Sequence, residues 1–199
     1  MITRKEMTRM LLKEGLLSWL ANNSFESVTV TSLCKASGIT RSTFYLHYSN
    51  IMEIVDDLVD DAIAYSKPGM VDNNNLQTIA NTLSAASNSV SLREAYDSIF
   101  DRLPLCQRII RHKKYLPLFL DDQISEYVLQ RIIGSEKDRQ GLVMAEALGT
   151  SFDVGISVFV FLVHGLYAIN KEYKWTQSDE WLEAQKIIFE LVYRGLQSR

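Results

Sequence analysis

Apolar residues recur along this chain at helical rather than alternating spacing. Met7, Met10, Leu11, Leu17 and Leu20 fall on one stripe, and Thr3 followed three residues later by Glu6 supplies a capping box in front of them. A first helix is therefore predicted from Thr3 to about Asn22. The same reasoning predicts helices at Val30–Ser37 behind a Thr29 cap, at 41–48 behind a Thr40 cap, and at 50–66 opening on Asn50. Beyond them it predicts helices at about 76–90, 92–103, 105–114, 117–133, 137–148, 151–171 and 179–197. Pro117 suits a first helical turn, and Ser178 suits a cap ahead of Asp179 and Glu180. No β-rich alternating run stands out, and three prolines and nine glycines punctuate the chain sparsely. The expected fold class is all-α.

Lys67 to Asn75, KPGMVDNNN, combines Pro, Gly and three Asn and reads as a linker. It divides a small N-terminal domain, 1–50 with a connecting helix at 51–66, from a larger helical domain at 76–199. With 199 residues, 47% of them hydrophobic, there is material for a substantial core. Cys34 and Cys106 are the two cysteines, without CxxC or His spacing, so neither a disulfide framework nor a metal site is expected. The MITRKEM opening has no apolar signal core, and a cytoplasmic location is expected. Val154 to Asn170 is the longest stretch free of Asp, Glu, Lys and Arg. Gly155, Ser157, His164 and Gly165 interrupt it, so it reads as a buried core helix rather than a membrane span.

The net charge is −3, but residues 1–50 hold six basic against three acidic side chains. A local positive excess is what attraction to phosphates requires. The informative stretch is VTVTSLCKASGITRSTFYLHYSN, Val28 to Asn50. Val30, Leu33 and Cys34 share one face of the second helix, Ile39 and Phe44 can close a core from the turn and the third helix, and Gly38 suits a tight turn needing positive φ. Burial of that face leaves Thr40, Arg41, Ser42, Thr43, Tyr45, Leu46 and His47 for the remaining faces. Such short hydrogen-bonding groups, with one arginine and polar-tipped aromatics, suit a major groove.

With a helix before it and one after, this stretch resembles the N-terminal domain of TetR-family regulators. Gly38-Ile39 matches the family's turn, and Thr43-Phe44-Tyr45 its aromatic segment, over roughly residues 3–60. The resemblance implies an N-terminal three-helix helix-turn-helix DNA-binding domain followed by a helical bundle for ligand binding and dimerisation. It implies base reading by Arg41, Ser42 and Leu46, and phosphate contacts by Thr43, Tyr45 and His47. Two positions depart from the family. Ser24 stands where a glycine often precedes the aromatic, so Asn23 or Ser24 is expected to take a strained turn. Ile51 stands where a lysine often opens the fourth helix, leaving a phosphate to Asn50 and that helix's N-terminus.

The expected function is sequence-specific transcriptional regulation, as a repressor released from a palindromic operator by a small-molecule effector. The alternatives are a helical protein-binding adaptor and a ligand-independent regulator. Partners are then double-stranded DNA, a second copy of the chain and the effector, with no membrane and no cofactor. No GxSxG, Walker or HExxH motif is present, and no enzyme is expected. Phe119, Tyr127, Phe159, His164 and Tyr167 are the ligand-binding candidates, His164 suiting a core or interface role equally. Trp181, Ala184, Ile188 and Val192 form an apolar stripe for the dimer seam. Cys34 reads as an inert core thiol, Asp56-Asp57 and Asp60-Asp61 as a solvated helix face, and Arg108, Arg111, His112, Lys113 and Lys114 as a solvated helix end.

Overall fold

A computed structural model describes residues 3–66, 75–103, 107–108 and 113–197, and among them every regular element is helical. The linker expected at 67–75 falls almost wholly outside the described residues, as do Cys106, Arg111 and His112. The helices are α1 (Arg4–Leu20), α2 (Val30–Ser37), α3 (Arg41–Tyr45), α4 (Met52–Ser66), α5 (Asn75–Ser84), α6 (Ser89–Ser98), α7 (Leu116–Leu120), α8 (Ser125–Leu148), α9 (Phe152–Glu172) and α10 (Asp179–Gln197).

The chain divides into two compact units, the first built from Met1–Tyr65 with Ile109–Arg131, the second from Ser66–Arg108 with Ile132–Arg199. Residues 113–131, which the sequence grouped with the larger domain, thus belong with the N-terminal helices. Local chemistry explains this. The buried Asp121 carboxylate accepts from the backbone N–H of Phe25 at 2.6 Å and from those of Gln123 and Ile124 at 2.9 and 3.3 Å. By capping the next turn it also splits the single helix expected at 117–133 into α7 and α8. Of the basic cluster expected as a solvated helix end, Arg108 is buried, whereas Lys113 and Lys114 are exposed, Lys114 pairing with Glu14 on α1.

In the first unit Leu12, Leu16, Leu33, Phe44, Ile54 and Leu58 are fully buried. Asn22 and Asn23 both donate to the Trp19 carbonyl, and Ser24 has an ordinary φ of −77°. Neither Asn23 nor Ser24 has positive φ, so the strained turn expected there does not occur.

In the second unit α10 packs on α5 and α6 around Ile79, Leu83, Leu92, Tyr96, Trp181, Leu182 and Phe189. Helix α5 ends at Ser84 because Asn88 and Ser91 form a capping box that starts α6 afresh. Helix α8, by contrast, runs through Gly134 without the break expected before 137. It meets α9 backbone to backbone: a Cβ on Gly155 would lie 2.2 Å from the Gly141 carbonyl oxygen and 2.7 Å from the Ala145 nitrogen.

Helix α9 corrects the expectation of a buried core helix. Gly155, Phe159, Val163, Leu166, Tyr167 and Asn170 are buried, but Phe161 is 74% exposed and Val154 44%. It is the one described helix long and apolar enough to cross a membrane.

Candidate nucleic-acid interface

Thr29 starts α2 with a reciprocal cap: its hydroxyl accepts from the Ser32 N–H at 3.0 Å, and the Ser32 hydroxyl accepts from the Thr29 N–H at 2.9 Å. Gly38 stops it at φ 66°, ψ 27°, a left-handed conformation that glycine adopts without strain. The Ile39 N–H then returns to the Cys34 carbonyl at 2.9 Å. Thr40 caps α3, accepting from the Thr43 N–H at 3.2 Å. The turn is thus defined by local hydrogen bonds at both ends, and the orientation of α3 follows from short-range chemistry.

Burial fixes which side of α3 faces out. Phe44 is fully buried and Tyr48 nearly so, their rings 6.2 Å apart. Thr40, Arg41, Ser42, Tyr45 and Leu46 are exposed, Leu46 at 80%, while Thr43 and His47 are half-buried. The helix is shorter than expected: it ends at Tyr45, with Leu46 and His47 in the following turn. His47 Nδ1 is buried without a hydrogen-bond partner, so that edge of the ring faces inward. Asn50 is exposed, but its side-chain oxygen accepts from the Glu53 N–H at 3.1 Å, and Glu53 in turn accepts from the Ser49 N–H at 2.8 Å. The start of α4 is therefore already capped and carries a carboxylate, with half-buried Ile51 beside it.

Behind this surface lies a network the sequence reading missed. The Asp57 carboxylate accepts from the Arg9 guanidinium and from the Tyr48 hydroxyl, at 2.9 and 2.6 Å, and Arg9 sits over the Tyr48 ring at 5.0 Å. Lys13 pairs with Asp61, one turn along. On the other side of α4, Asp56 accepts from the Tyr127 hydroxyl, and Asp60 pairs with Arg131 at 2.7 Å. Each of the four aspartates has a partner; Asp56 and Asp57 are partly buried, while Asp60 keeps the solvent exposure expected of this face. Burial alone would raise the Asp57 carboxyl, but the hydrogen bonds from Arg9 and Tyr48 and the nearby charges of Arg9 and Lys13 hold it below its ordinary value. Burial raises the Tyr48 hydroxyl, and its bond to Asp57 adds to the effect. A sequence signal existed: Arg9 and Lys13 are spaced i, i+4, as are Asp57 and Asp61.

Among the described residues no group of His, Cys, Asp and Glu could hold a metal ion. Cys34 is buried, and burial pushes its thiol up against the smaller opposing pull of Arg41.

The five ligand-binding candidates are divided between the two units. Phe119 and Tyr127 belong to the first unit, Phe119 in its core and Tyr127 half exposed with its hydroxyl on Asp56. Phe159, His164 and Tyr167 belong to the second, where the Tyr167 ring packs edge-on to Trp175 at 5.5 Å. The apolar stripe assigned to a dimer seam also needs correction. Trp181 is buried within its own unit, edge-on to Tyr96 at 5.1 Å and donating to Asn170 at 2.8 Å. Ile188 leans on the same core, and Ala184 and Val192 are half-buried. The apolar side chains that α10 leaves outside are Ile187 and Leu191, 48% and 65% exposed. No family model, curated protein or solved structure matches the chain.

Proposed function

We propose that this protein is a sequence-specific DNA-binding transcriptional regulator, acting as a homodimer through a helix-turn-helix formed by α2, Gly38 and α3. The observation that carries the reading is the doubly capped α2–α3 turn, which buries Phe44 and leaves Thr40, Arg41, Ser42, Tyr45 and Leu46 exposed together. The resemblance of Val28 to Asn50 to TetR-family regulators points the same way. Arg41 is the one side chain there with a bidentate donor fork, suited to guanine O6 and N7, whereas Tyr45 and Thr43 suit phosphates.

A second copy is the occupant best suited to the exposed apolar side chains of α9 and α10. Val154, Phe161, Ile187 and Leu191 lie outside, while the opposite face of α9 buries Asn170 and the close contact at Gly155. A one-sided apolar face suits another protein surface better than lipid, which would surround the helix. In this reading the chain is a repressor released by a small molecule held in the second unit.

Two-fold symmetry then requires a pseudo-palindromic operator with half-sites one helical turn apart, ~34–36 Å, or a multiple of it. Selection from randomised DNA at fixed salt tests this. Wild type is expected to recover a palindrome, Arg41→Ala to lose preference at one base pair per half-site, worth about 1–3 kcal/mol, and Tyr45→Phe to bind all sequences more weakly. Leu46, at 80% exposure, favours an adaptor as the second reading; binding that recovers no palindrome and is insensitive to salt would select it.

A further inference from the structure

The second unit contains buried amide side chains with polar atoms that have no hydrogen-bond partner. Gln185 is fully buried on α10, and neither its Oε1 nor its Nε2 has a hydrogen-bond partner. It stands one turn after Trp181 and one turn before Phe189, both part of the apolar core. Asn170 on α9 is 1% exposed, and its Nδ2 is also unpaired. The orientation of that amide is fixed by chemistry, since the Trp181 indole can only donate and its bond at 2.8 Å must meet the oxygen. Gln107, 3% exposed, accepts from the Tyr96 hydroxyl at 3.4 Å and leaves Nε2 unpaired. Gln107 and Asn170 are linked through aromatic rings, because Tyr96 packs against Trp181 and Trp181 bonds Asn170, and Gln185 follows Trp181 by one helical turn.

Buried polar groups in folded proteins are almost always satisfied, and a glutamine with both ends unmet inside an apolar core is a rare exception. The neighbouring backbone is strained as well. Lys174 and Trp175 are consecutive non-glycine residues at φ 49° and 57°, and the Trp175 N–H is held by the Asn170 carbonyl at 2.8 Å. With the Lys174 N–H on the Lys171 carbonyl at 2.9 Å, that bond closes the C-terminus of α9.

We infer that Gln185, Asn170 and Gln107 form a buried binding site for a small, largely apolar molecule carrying a carboxamide or lactam group. Gln185 offers a donor and an acceptor side by side, and their complement is an adjacent carbonyl and N–H. The unpaired Nδ2 of Asn170 and Nε2 of Gln107 add donors for a second acceptor, and the rings of Tyr96 and Trp181 suit an aromatic or aliphatic body. A carboxylate would leave Gln185 Oε1 unmet and bring a charge beside the Trp181–Phe189 stripe. The inference gives chemistry to the effector of the proposed regulator and rests on that reading only for its consequence at DNA; binding itself does not depend on it.

The test uses the full-length protein without DNA and four probes: benzamide, ε-caprolactam, N,N-dimethylbenzamide and benzoate. Benzamide and caprolactam at saturation are expected to raise Tm by about 2–4 °C, while dimethylbenzamide, which lacks the N–H, and benzoate do not. Gln185→Leu and the unbranched Gln185→Met remove the unmet polar atoms, so both are expected to melt at or above the wild-type temperature and to lose the benzamide shift. In ¹H–¹⁵N spectra benzamide should move the side-chain NH₂ signal that Gln185→Met deletes. The inference is overturned if neither amide probe shifts wild type, if benzoate or dimethylbenzamide shifts it equally, if both variants keep the shift, or if both melt well below wild type. DNA selection is a separate measurement: a palindrome recovered without amide binding sinks only this site, and amide binding without a palindrome sinks only the DNA reading.

Discussion

Replacing Asp57 by Ala or by Asn separates the two things its carboxylate does. The Arg9–Asp57 pair is partly solvated, with side chains 35% and 23% exposed, so its loss is worth under about 1 kcal/mol. The Tyr48 hydroxyl is a different case, because the residue is 3% exposed and Asp57 is its acceptor at 2.6 Å. Leaving a buried phenol without an acceptor costs about 1–3 kcal/mol. Asp57→Ala should therefore lose roughly 1–4 kcal/mol, whereas Asp57→Asn keeps a carbonyl for Tyr48 and should lose under about 1 kcal/mol. The folded Asp57 carboxyl lies below its ordinary value. Its contribution is thus fully present above the unfolded pKa of about 3.9 and is lost as pH falls through the lower folded value. Urea unfolding of the three proteins at pH 7, repeated in steps down to the acid limit, measures all of this. Equal losses for Ala and Asn at pH 7, or a wild-type advantage over Asn that persists at the acid limit, would refute the reasoning.

Gly155→Ala should destabilise by about 1–3 kcal/mol, because its Cβ meets the α8 backbone, whereas Gly134→Ala, in open space on α8, should stabilise by up to ~1 kcal/mol; thermal melts of the pair distinguish packing from propensity. Gly38→Ala has room for its Cβ but must hold φ 66°, so it should cost about 1–2 kcal/mol by denaturant unfolding. Leu191→Asp should leave the unfolding of the second unit nearly unchanged, since that side chain lies outside its core, yet sediment as a monomer at micromolar concentration; a dimer that persists in both Leu191→Asp and Phe161→Asp would remove these helices from the interface.

What the sequence determined by itself was local. Thr3 with Glu6, Thr29 ahead of Ser32, Gly38 and Thr40 each act within a few residues, and the limits of α2 and the starts of α1 and α3 follow from them. The all-α class follows from apolar periodicity, which needs no tertiary information. The same local rules erred where a short-range signal was misjudged, as at Asp121 and Asn88, whose caps divide helices that periodicity alone would run together.

Tertiary structure decided which apolar face of an amphipathic helix belongs to its own core. On α10 the stripe through Trp181 and Ile188 turns inward and the one through Ile187 and Leu191 outward, although both are apolar in sequence. It also decided which charges have partners. Asp57 and Asp61 read as a solvated ridge until Arg9 and Lys13, nearly fifty residues earlier, are brought across from α1. Gln185 is the extreme case: its neighbours in sequence make it an ordinary helical residue, and only the packing of α10 on α5 and α6 removes it from water. Caps and periodicity are encoded by near neighbours, whereas burial and pairing are properties of surfaces that meet only once the chain has folded.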